Sequence, residues 1–238
     1  MGCLFFGKKE AIIVSIRLKS IIDMVPKVHT AADIGCDHGK VAVALIKREK
    51  AKRVVSSDIS GASLDKARKL VKARKMEGVI SLREGDGLSV LEEAEADVAV
   101  LAGMGGELIM DILAANPGKA PDTLVLSCNT ASGKLRKWLA ENGYYIADEA
   151  IEYENRRYYP VILARRGQSV ALSDLELEFG PVLLKKKPKP LKHFVRKRIE
   201  KTKVIKREIE KSSSERKDML VSELEQRLNA YKELEKCL

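Results

Sequence analysis

The 238-residue chain has few aromatic residues, scattered cysteines and no long apolar segment. Aromatic side chains make up only 5% of the residues. The four cysteines, Cys3, Cys36, Cys128 and Cys237, lack the spacing of a metal or redox motif, which predicts free thiols in a reducing cytoplasm. Apolar runs fall short of the roughly 20 residues that a membrane span needs. We therefore expect a soluble cytoplasmic protein that does not associate with membranes.

The chain also lacks the Gly-x-Gly-x-x-Gly fingerprint that cradles the pyrophosphate of a dinucleotide. In its place, an apolar run leads into Asp33-Ile34-Gly35-Cys36-Asp37-His38-Gly39, and a helical pattern follows. Glycines at such a turn let the backbone approach a ligand closely. An acidic strand end with a looser glycine loop suits a cationic cofactor without phosphates, such as S-adenosylmethionine. A nicotinamide dehydrogenase is disfavoured for the same reason.

Positive charge is concentrated in one segment. The net charge is +10, and residues 185–211 contain 13 Lys or Arg against three Glu, so this segment accounts for the whole excess. A nearly neutral main part with a basic appendage predicts an acidic partner, most commonly nucleic acid. The competing interpretation is a charged face that is merely solvated.

Strand-like and helix-like patterns alternate through the first two thirds of the chain. The predicted strands are 30–34, 53–57, 79–83, 97–101 and 123–127. Helical patterns at 38–49, after Ser60, at 105–115 and at 132–142 lie between or after them. Segments 144–154 and 157–165 then predict a hairpin that turns at Asn155-Arg156. The pattern predicts an α/β, Rossmann-like fold with a mostly parallel sheet and an antiparallel edge hairpin.

The pattern changes after Gly167. Ser173 to Glu176 is a capping-box sequence, and the prolines at 188 and 190 interrupt any helix. Two amphipathic stripes, broken at Ser212 to Glu215, then predict a coiled-coil-like antiparallel helical hairpin; they are Leu191, Val195, Ile199, Thr202, Ile205, Ile209 and Leu220, Leu224, Leu228, Tyr231, Leu238. We predict a cofactor-binding domain at 17–167 and a basic helical domain at 168–238.

Acidic residues follow three successive predicted strands. Asp58 lies 25 residues after Asp33, close to the spacing at which a carboxylate accepts hydrogen bonds from ribose hydroxyls. Asp86, which precedes Gly87, can accept a bond from an adenine amino group, and Asp33 can face an ammonium group. Any one of these acids can equally cap a loop or a helix. Their position at the ends of adjacent strands favours a shared binding site.

The fourth predicted strand ends in Ala102-Gly103-Met104-Gly105-Gly106. Three glycines in four residues either form a tight turn into the next helix or expose bare backbone to a flat base. Asn129, after the fifth strand, either contacts that base or caps a helix. His29 and His193 have no carboxylate or cysteine partner at ligand spacing, and His38 can simply pack or cap, so we predict no metal site.

These residues resemble the bacterial tRNA (adenine-22-N1)-methyltransferases over roughly residues 17–235. The most specific matching segment is Leu101 to Gly106, in place of the Asn/Asp-Pro-Pro-Tyr motif of many methyltransferases. Further matching segments are Arg17 to Pro26, Ala32 to His38, Glu84 to Leu88, Leu135 to Leu139, Glu152, Tyr158-Tyr159 and Phe179 to Pro181. The family often has Gln-Pro-Asn where this chain has Ser127-Cys128-Asn129, so only the Asn carries over.

The resemblance implies a Rossmann-type enzyme that uses S-adenosylmethionine, acts on tRNA and carries a C-terminal helical extension. The implied cofactor-binding residues are Asp33, Gly35, Asp37, His38, Gly39, Asp58, Ile59, Asp86, Gly87, Ala102 and Gly103. The implied catalytic residues are Gly103, Met104, Gly105, Gly106 and Asn129. For the tRNA backbone we predict contacts from Lys186, Lys192, Arg196, Lys197 and Lys203.

Other functions are compatible with the same residues. One is a methyltransferase for another RNA or another macromolecular acceptor, because the position of the methylated adenine comes only from the resemblance. Another is a non-catalytic RNA-binding protein with this fold, which would have no tight S-adenosylmethionine site. An amphipathic hairpin closes on itself or pairs with a neighbour, so we expect a monomer or a weak dimer.

Overall fold

The computed structural model describes residues 15–211 and 216–238. Its strands are β1 (Val28–Ile34), β2 (Ala51–Asp58), β3 (Ile80–Glu84), β4 (Val98–Ala102), β5 (Thr123–Ser127), β6 (Tyr144–Glu154) and β7 (Arg157–Arg166). Its helices are α1 (Ile16–Met24), α2 (Lys40–Lys47), α3 (Gly61–Ala73), α4 (Gly106–Ala115), α5 (Ser132–Glu141), α6 (Asp174–Phe179), α7 (Pro181–Lys186), α8 (Lys189–Glu210) and α9 (Lys217–Cys237). A short 3-10 turn occupies Gly87–Val90.

The strands form one seven-stranded sheet in the order β3-β2-β1-β4-β5-β7-β6. β1 to β5 are parallel, and β7 runs antiparallel to both β5 and β6. The hairpin turns at Asn155 and Arg156, which both have positive φ, 48° and 62°. These features confirm the predicted α/β fold with an antiparallel edge hairpin.

Both faces of the sheet are buried, which explains the nearly continuous apolar character of its central strands. Successive residues point to opposite faces, so Val100 packs in one core with Ile21 and Val43, whereas Leu101 packs in the other with Ile109. The two cores fix the register of the strands. The register in turn aligns the carboxyl ends of β1, β2 and β4 at one edge.

The predicted elements did not include α1. Ser15 caps this helix by accepting a hydrogen bond from the Leu18 amide at 3.3 Å, and Ile21 and Ile22 are fully buried. Five of its nine residues are apolar, and Leu18, Ile21, Ile22 and Val25 have the i, i+3, i+4, i+7 spacing of one helical face that packs against the sheet.

The C-terminal helices begin with the predicted capping box of Ser173 and Glu176. α8 and α9 lie antiparallel, as shown by the ion pairs Arg196–Glu235 (2.5 Å) and Lys206–Glu225 (2.7 Å). The predicted apolar stripes supply the contact between the two helices, including the buried residues Leu191, Val195, Ile199, Leu228 and Tyr231. The helical hairpin is therefore confirmed, while its predicted break at 212–215 lies outside the described residues.

A fully buried ion pair connects the sheet to these helices. Arg136 Nε of α5 lies 2.8 Å from Glu149 Oε1 of β6. The Arg136 guanidinium also donates to the Leu177 carbonyl at 2.8 Å, and Glu149 Oε2 accepts from the Val182 amide at 2.9 Å. Both charges lie within 17–167, and their hydrogen bonds to Leu177 and Val182 cross the predicted boundary between 167 and 168. The division into two domains stays a prediction.

We expect Glu149→Ala to lower the free energy of unfolding by about 3–5 kcal/mol, because it leaves the Arg136 charge buried without its partner. The substitution also removes the acceptor for the first amides of α7. Urea unfolding followed by circular dichroism measures the change. The control is Glu141→Ala, whose exposed carboxylate lies 3.8 Å from Lys137 and should contribute about 0.5 kcal/mol or less. A loss for Glu149→Ala no larger than that of the control would contradict this account.

Candidate active site

A pocket of about 510 Å³ opens at the carboxyl edge of the sheet, between β1 and β4. The chain order of the strands reverses at this point, which is where ligands bind in open α/β sheets. The residues that line this carboxyl-edge pocket come from the α1 segment, the β1–α2 loop, the start of α2 and the β4–α4 loop; they include Arg17, Asp33, Gly35, Asp37, His38, Ala102, Gly103 and Met104.

The β1–α2 loop turns sharply at Gly35, whose φ is +73°. The amides of Gly35 and Cys36 both donate to the Ser57 carbonyl, at 2.8 and 2.9 Å, which ties the loop to the end of β2. A Cβ atom at Gly35 would lie 2.7 Å from the Met104 Cε atom. The positive φ therefore favours glycine here, while the flexible Met104 side chain could move aside for a Cβ atom.

Asp33 is a buried carboxylate at the end of β1. The Ala42 amide, in the first turn of α2, hydrogen-bonds to it, and Oδ2 has no hydrogen-bond partner among the described residues. Burial raises the pKa of Asp33, against the lowering effect of the Ala42 hydrogen bond and with a smaller raising effect of the Asp58 carboxylate, to about 7. A buried carboxylate with an unsatisfied oxygen at a pocket suits a positively charged ligand.

Asp58 ends β2 and organises the neighbouring loops. Its two carboxylate oxygens accept from the Asp37 amide at 3.1 Å and from the Ser60 amide at 2.9 Å. Each oxygen of an ionised carboxylate keeps a further lone pair, so Asp58 can still accept bonds from two ribose hydroxyls. Ile59 is 71% exposed beside it and offers an apolar surface to a flat base.

Asp86 and Gly87 lie further along the same edge, after β3. The Gly85 amide donates to the Asp58 carbonyl at 3.2 Å, which holds the ends of β2 and β3 together. Asp86 is exposed, whereas Gly87 is buried against Ile112. Among the described residues, those that line the pocket do not include Asp58, Ile59, Asp86 or Gly87. A ligand that reached them would extend along the edge from the pocket.

Residues 103–106 form a glycine turn that is clamped by the loop after β5. The Asn129 side-chain amide donates to the Gly103 carbonyl at 2.6 Å, and the Asn129 backbone amide donates to the Met104 carbonyl at 2.9 Å. A Cβ atom at Gly106 would come within 2.9 Å of the carbonyl oxygens of Thr130 and Ala131. Asn129 therefore positions the glycine turn. Its Oδ1 makes no hydrogen bond to the described residues.

Of the other predicted residues of the β1–α2 loop, Asp37 and His38 line the pocket, whereas Gly39 is buried against Ala67 of α3 and does not. Asp37 has positive φ, 45°, and its carboxylate contacts His38 Nδ1. Gly39 comes directly before α2, with a φ of +66°. The loop thus presents two exposed polar side chains to the pocket, while most of its backbone amides donate to groups within the protein.

Arg17 is a pocket residue that the sequence reasoning did not single out. Its Nε and Nη2 donate to the Ser127 hydroxyl at 3.2 Å and to the Ser127 carbonyl at 3.1 Å. The guanidinium lies 4.3 Å from the centre of the Tyr159 ring, and burial lowers its pKa. Its only sequence signal was membership of a segment shared with the family, since α1 itself was not predicted.

The five predicted RNA-binding residues differ in their surroundings. Three form ion pairs within the chain: Lys186 with Asp148, Arg196 with Glu235 and Lys203 with Glu200. Lys192 and Lys197 make no ion pair within the described part of the chain. Exposed pairs contribute little and exchange readily for other partners, so all five remain candidates for phosphate contacts.

Neither a metal site nor a membrane span is found in residues 15–211 and 216–238. No group of three or more His, Cys, Asp or Glu side chains there is placed to hold a metal ion. No helix in the same ranges combines the length and the apolar character that crossing a membrane requires.

Comparison with known proteins gives consistent matches over most of the chain. The profile of the family described as "tRNA (adenine(22)-N(1))-methyltransferase" matches residues 31–233. The tRNA (adenine(22)-N(1))-methyltransferase of Bacillus subtilis is 33% identical over 178 residues, which cover 72% of this chain and 75% of the relative.

Solved structures agree with this match. The crystal structure of the B. subtilis m1A22 tRNA methyltransferase TrmK superposes with a TM-score of 0.85 at 29% identity and covers 93% of this chain and 98% of its own. A putative tRNA (m1A22) methyltransferase of Streptococcus pneumoniae, solved in complex with S-adenosyl-L-methionine, has a TM-score of 0.82 at 28% identity, with 93% and 99% coverage.

The fold and the pocket thus define a Rossmann-type methyltransferase that uses S-adenosylmethionine. More specifically, the chain belongs to the tRNA (adenine(22)-N(1))-methyltransferase family. The predicted family, enzyme class and cofactor are confirmed. The roles of the individual pocket residues stay predictions.

The raised pKa of Asp33 predicts that affinity for S-adenosylmethionine increases with pH. A protonated Asp33 is neutral and cannot pair with the ligand ammonium group, so with a pKa of about 7 binding strengthens as the pH rises through 7. We expect an increase of about five- to tenfold from about pH 6 to about pH 7.5, a range in which the ligand amine stays mostly protonated. Isothermal titration calorimetry measures it.

The control for this prediction is Asp33→Asn, which keeps an acceptor for the Ala42 amide but does not titrate. This variant should bind more weakly and with the same affinity across the range. A wild-type affinity that does not change between these pH values would contradict the role assigned to Asp33.

Proposed function

We propose that this protein transfers a methyl group from S-adenosylmethionine to N1 of adenine 22 in tRNA. The observation that supports it most is the juxtaposition of the buried Asp33 carboxylate with the glycine turn across the pocket, in a chain of this family. A cationic ligand held at Asp33 would place its reactive group beside the exposed backbone at Gly103.

The residues of the carboxyl-edge pocket fit this cofactor. The unsatisfied Asp33 oxygen suits the ammonium group, and the two free lone pairs of Asp58 suit the ribose hydroxyls. Ile59 would pack on the adenine ring, and Asp86 would accept from its amino group. When bound, the cofactor supplies the sulfonium methyl group that is transferred.

The protein's own contribution is positioning rather than proton transfer. Neutral adenine N1 carries a free lone pair and needs no general base to attack a methyl group in line. Holding two reactants in the right geometry contributes up to about 7–11 kcal/mol. Gly103 has no atom within 4 Å of where its Cβ would be, so the glycine turn leaves room for a flat base.

The positive charge that develops on the base must be stabilised by acceptors at the same place. The Gly103 and Met104 carbonyls each accept one bond from Asn129 and keep a second lone pair. Because N1 lies on the Watson–Crick edge, the acceptor adenine must leave its stack to reach them.

Basic side chains of α7 and α8 would bind the tRNA backbone. Lys192 and Lys197 are the most available for phosphates, and Lys186, Arg196 and Lys203 would exchange their exposed carboxylate partners for phosphate oxygens. In this proposal residues 17–167 carry the chemistry and residues 168–238 bind tRNA. We propose that the protein acts as a monomer or weak dimer in the cytoplasm, where tRNA is modified.

Methyl transfer to unmodified tRNA tests the proposed reaction directly. With labelled S-adenosylmethionine, we expect incorporation of about one methyl group per tRNA and 1-methyladenosine in the digested nucleosides, because only one adenine has to enter the pocket. The matched control is the same transcript with guanine in place of adenine 22, which should not be labelled. Equal labelling of both transcripts would show that a nucleotide other than adenine 22 accepts the methyl group.

Salt dependence tests the RNA-binding face. Lys192→Ala or Lys197→Ala should weaken tRNA binding and reduce the magnitude of the slope of log K against log salt by about 1 each. The control is Lys72→Ala, an exposed lysine in the last turn of α3. Unchanged slopes for both α8 variants would rule out these phosphate contacts. Fluorescence anisotropy over a salt series gives the values.

A further inference from the structure

An aromatic cluster lies where the β6–β7 hairpin meets α8. The ring centres of Tyr153 and Tyr158 are 4.7 Å apart, and each lies 5.8 Å from the His193 ring. Phe194 supports Tyr158 from the core side, with 5.0 Å between ring centres. Three rings from two separate elements thus converge on one spot of the surface.

The topology places this cluster at the same edge as the carboxyl-edge pocket. β7 is antiparallel to β5, and Leu126 pairs with Ile162, so the start of β7 extends past the end of β5. Arg17 joins the two regions, since its guanidinium bonds to Ser127 and stacks on Tyr159. Tyr158, the residue before Tyr159, points to the opposite face of the sheet.

Core packing accounts for only part of the cluster. Tyr158 is partly buried and packs on Phe194, as a structural residue would. Tyr153, in contrast, is 42% exposed, and His193 is exposed on α8. In a chain with 5% aromatic residues, an exposed tyrosine stacked beside an exposed histidine leaves ring surface free for a ligand.

Positive charge surrounds the exposed rings. Lys189 and Lys197 lie four residues before and after His193, so all three share one face of α8, and both lysines are exposed. Arg156 and Arg157 are exposed at the hairpin turn beside Tyr153. Aromatic faces flanked by cations that can track a phosphate backbone are the combination that binds unpaired nucleotides.

We infer that Tyr153, Tyr158 and His193 form a stacking platform for an unpaired base of the tRNA, a base other than the adenine that accepts the methyl group. This inference rests on the proposed function, because it takes tRNA as the ligand. An adenine drawn out of its stack leaves disrupted neighbours, and a platform on the same edge would hold one of them. The platform would thereby keep the acceptor strand open while the adenine enters the pocket.

Binding of unmodified tRNA to single variants tests the stacking platform. We expect Tyr153→Ala to weaken tRNA binding about fivefold to a hundredfold, the range for loss of one stacked base. Tyr153→Phe keeps the ring and should bind within about twofold of the wild type. The matched control is Tyr145→Ala, since Tyr145 is 38% exposed at the opposite end of the same strand; it should leave binding unchanged.

Two further measurements separate stacking from other effects. The salt slope should be the same for Tyr153→Ala as for the wild type, because the ring carries no charge. S-adenosylmethionine affinity should also be unchanged. His193→Ala, at an exposed helical position, should weaken tRNA binding as well and provides a second test if Tyr153→Ala does not fold.

Wild-type tRNA affinity in both Tyr153→Ala and His193→Ala would overturn the stacking platform, as would an equal loss in Tyr145→Ala. These outcomes differ from failure of the proposed function. A wild-type protein that binds tRNA without forming 1-methyladenosine would contradict the reaction, and the binding comparison would still decide the platform. A wild-type protein that does not bind tRNA would overturn both.

Discussion

The buried ion pair between Arg136 and Glu149 is the interaction on which the arrangement of the C-terminal helices depends. Burying two opposite charges is costly, and hydrogen bonds to the groups around them offset part of that cost. Arg136 Nη2 makes no hydrogen bond to the described residues, whereas the other guanidinium nitrogens do. Here those bonds reach the Leu177 carbonyl of α6 and the Val182 amide of α7, and they therefore anchor both helices to the sheet. Through that anchor, α8 keeps a fixed position beside the edge of the sheet where the pocket opens.

The sequence predicted the secondary structure correctly wherever local pattern determines it. Apolar runs predicted the central strands, Asn155-Arg156 predicted the hairpin turn, and the stripes of α8 and α9 predicted their antiparallel contact. α1 was missed although Leu18, Ile21, Ile22 and Val25 have the spacing of a buried helical face. The insertion of β7 between β5 and β6, in contrast, depends on pairings that leave no local signal.

The residues of the candidate site also divide into those that the sequence indicated and those that it missed. Glycine and aspartate at strand ends indicated the pocket, because the need for a tight turn and for an anion shows in the residue types themselves. Asn129 was expected to contact a base or cap a helix, yet it clamps the glycine turn. Arg17 gave no chemical signal in the sequence, since its role depends on Ser127 and Tyr159, which lie more than a hundred residues away.

The turn of the β6–β7 hairpin holds an arginine in a backbone conformation that favours glycine. Arg156 adopts the left-handed conformation that glycine adopts most easily at the second position of such a two-residue turn. A side chain in this conformation costs about 1 kcal/mol or more. The fold would therefore be more stable with glycine here, whereas arginine places a cation beside the stacking platform. With the stacking platform as proposed, stability favours glycine and RNA recognition favours arginine at this position, so selection for thermostability alone would weaken the proposed RNA-binding surface.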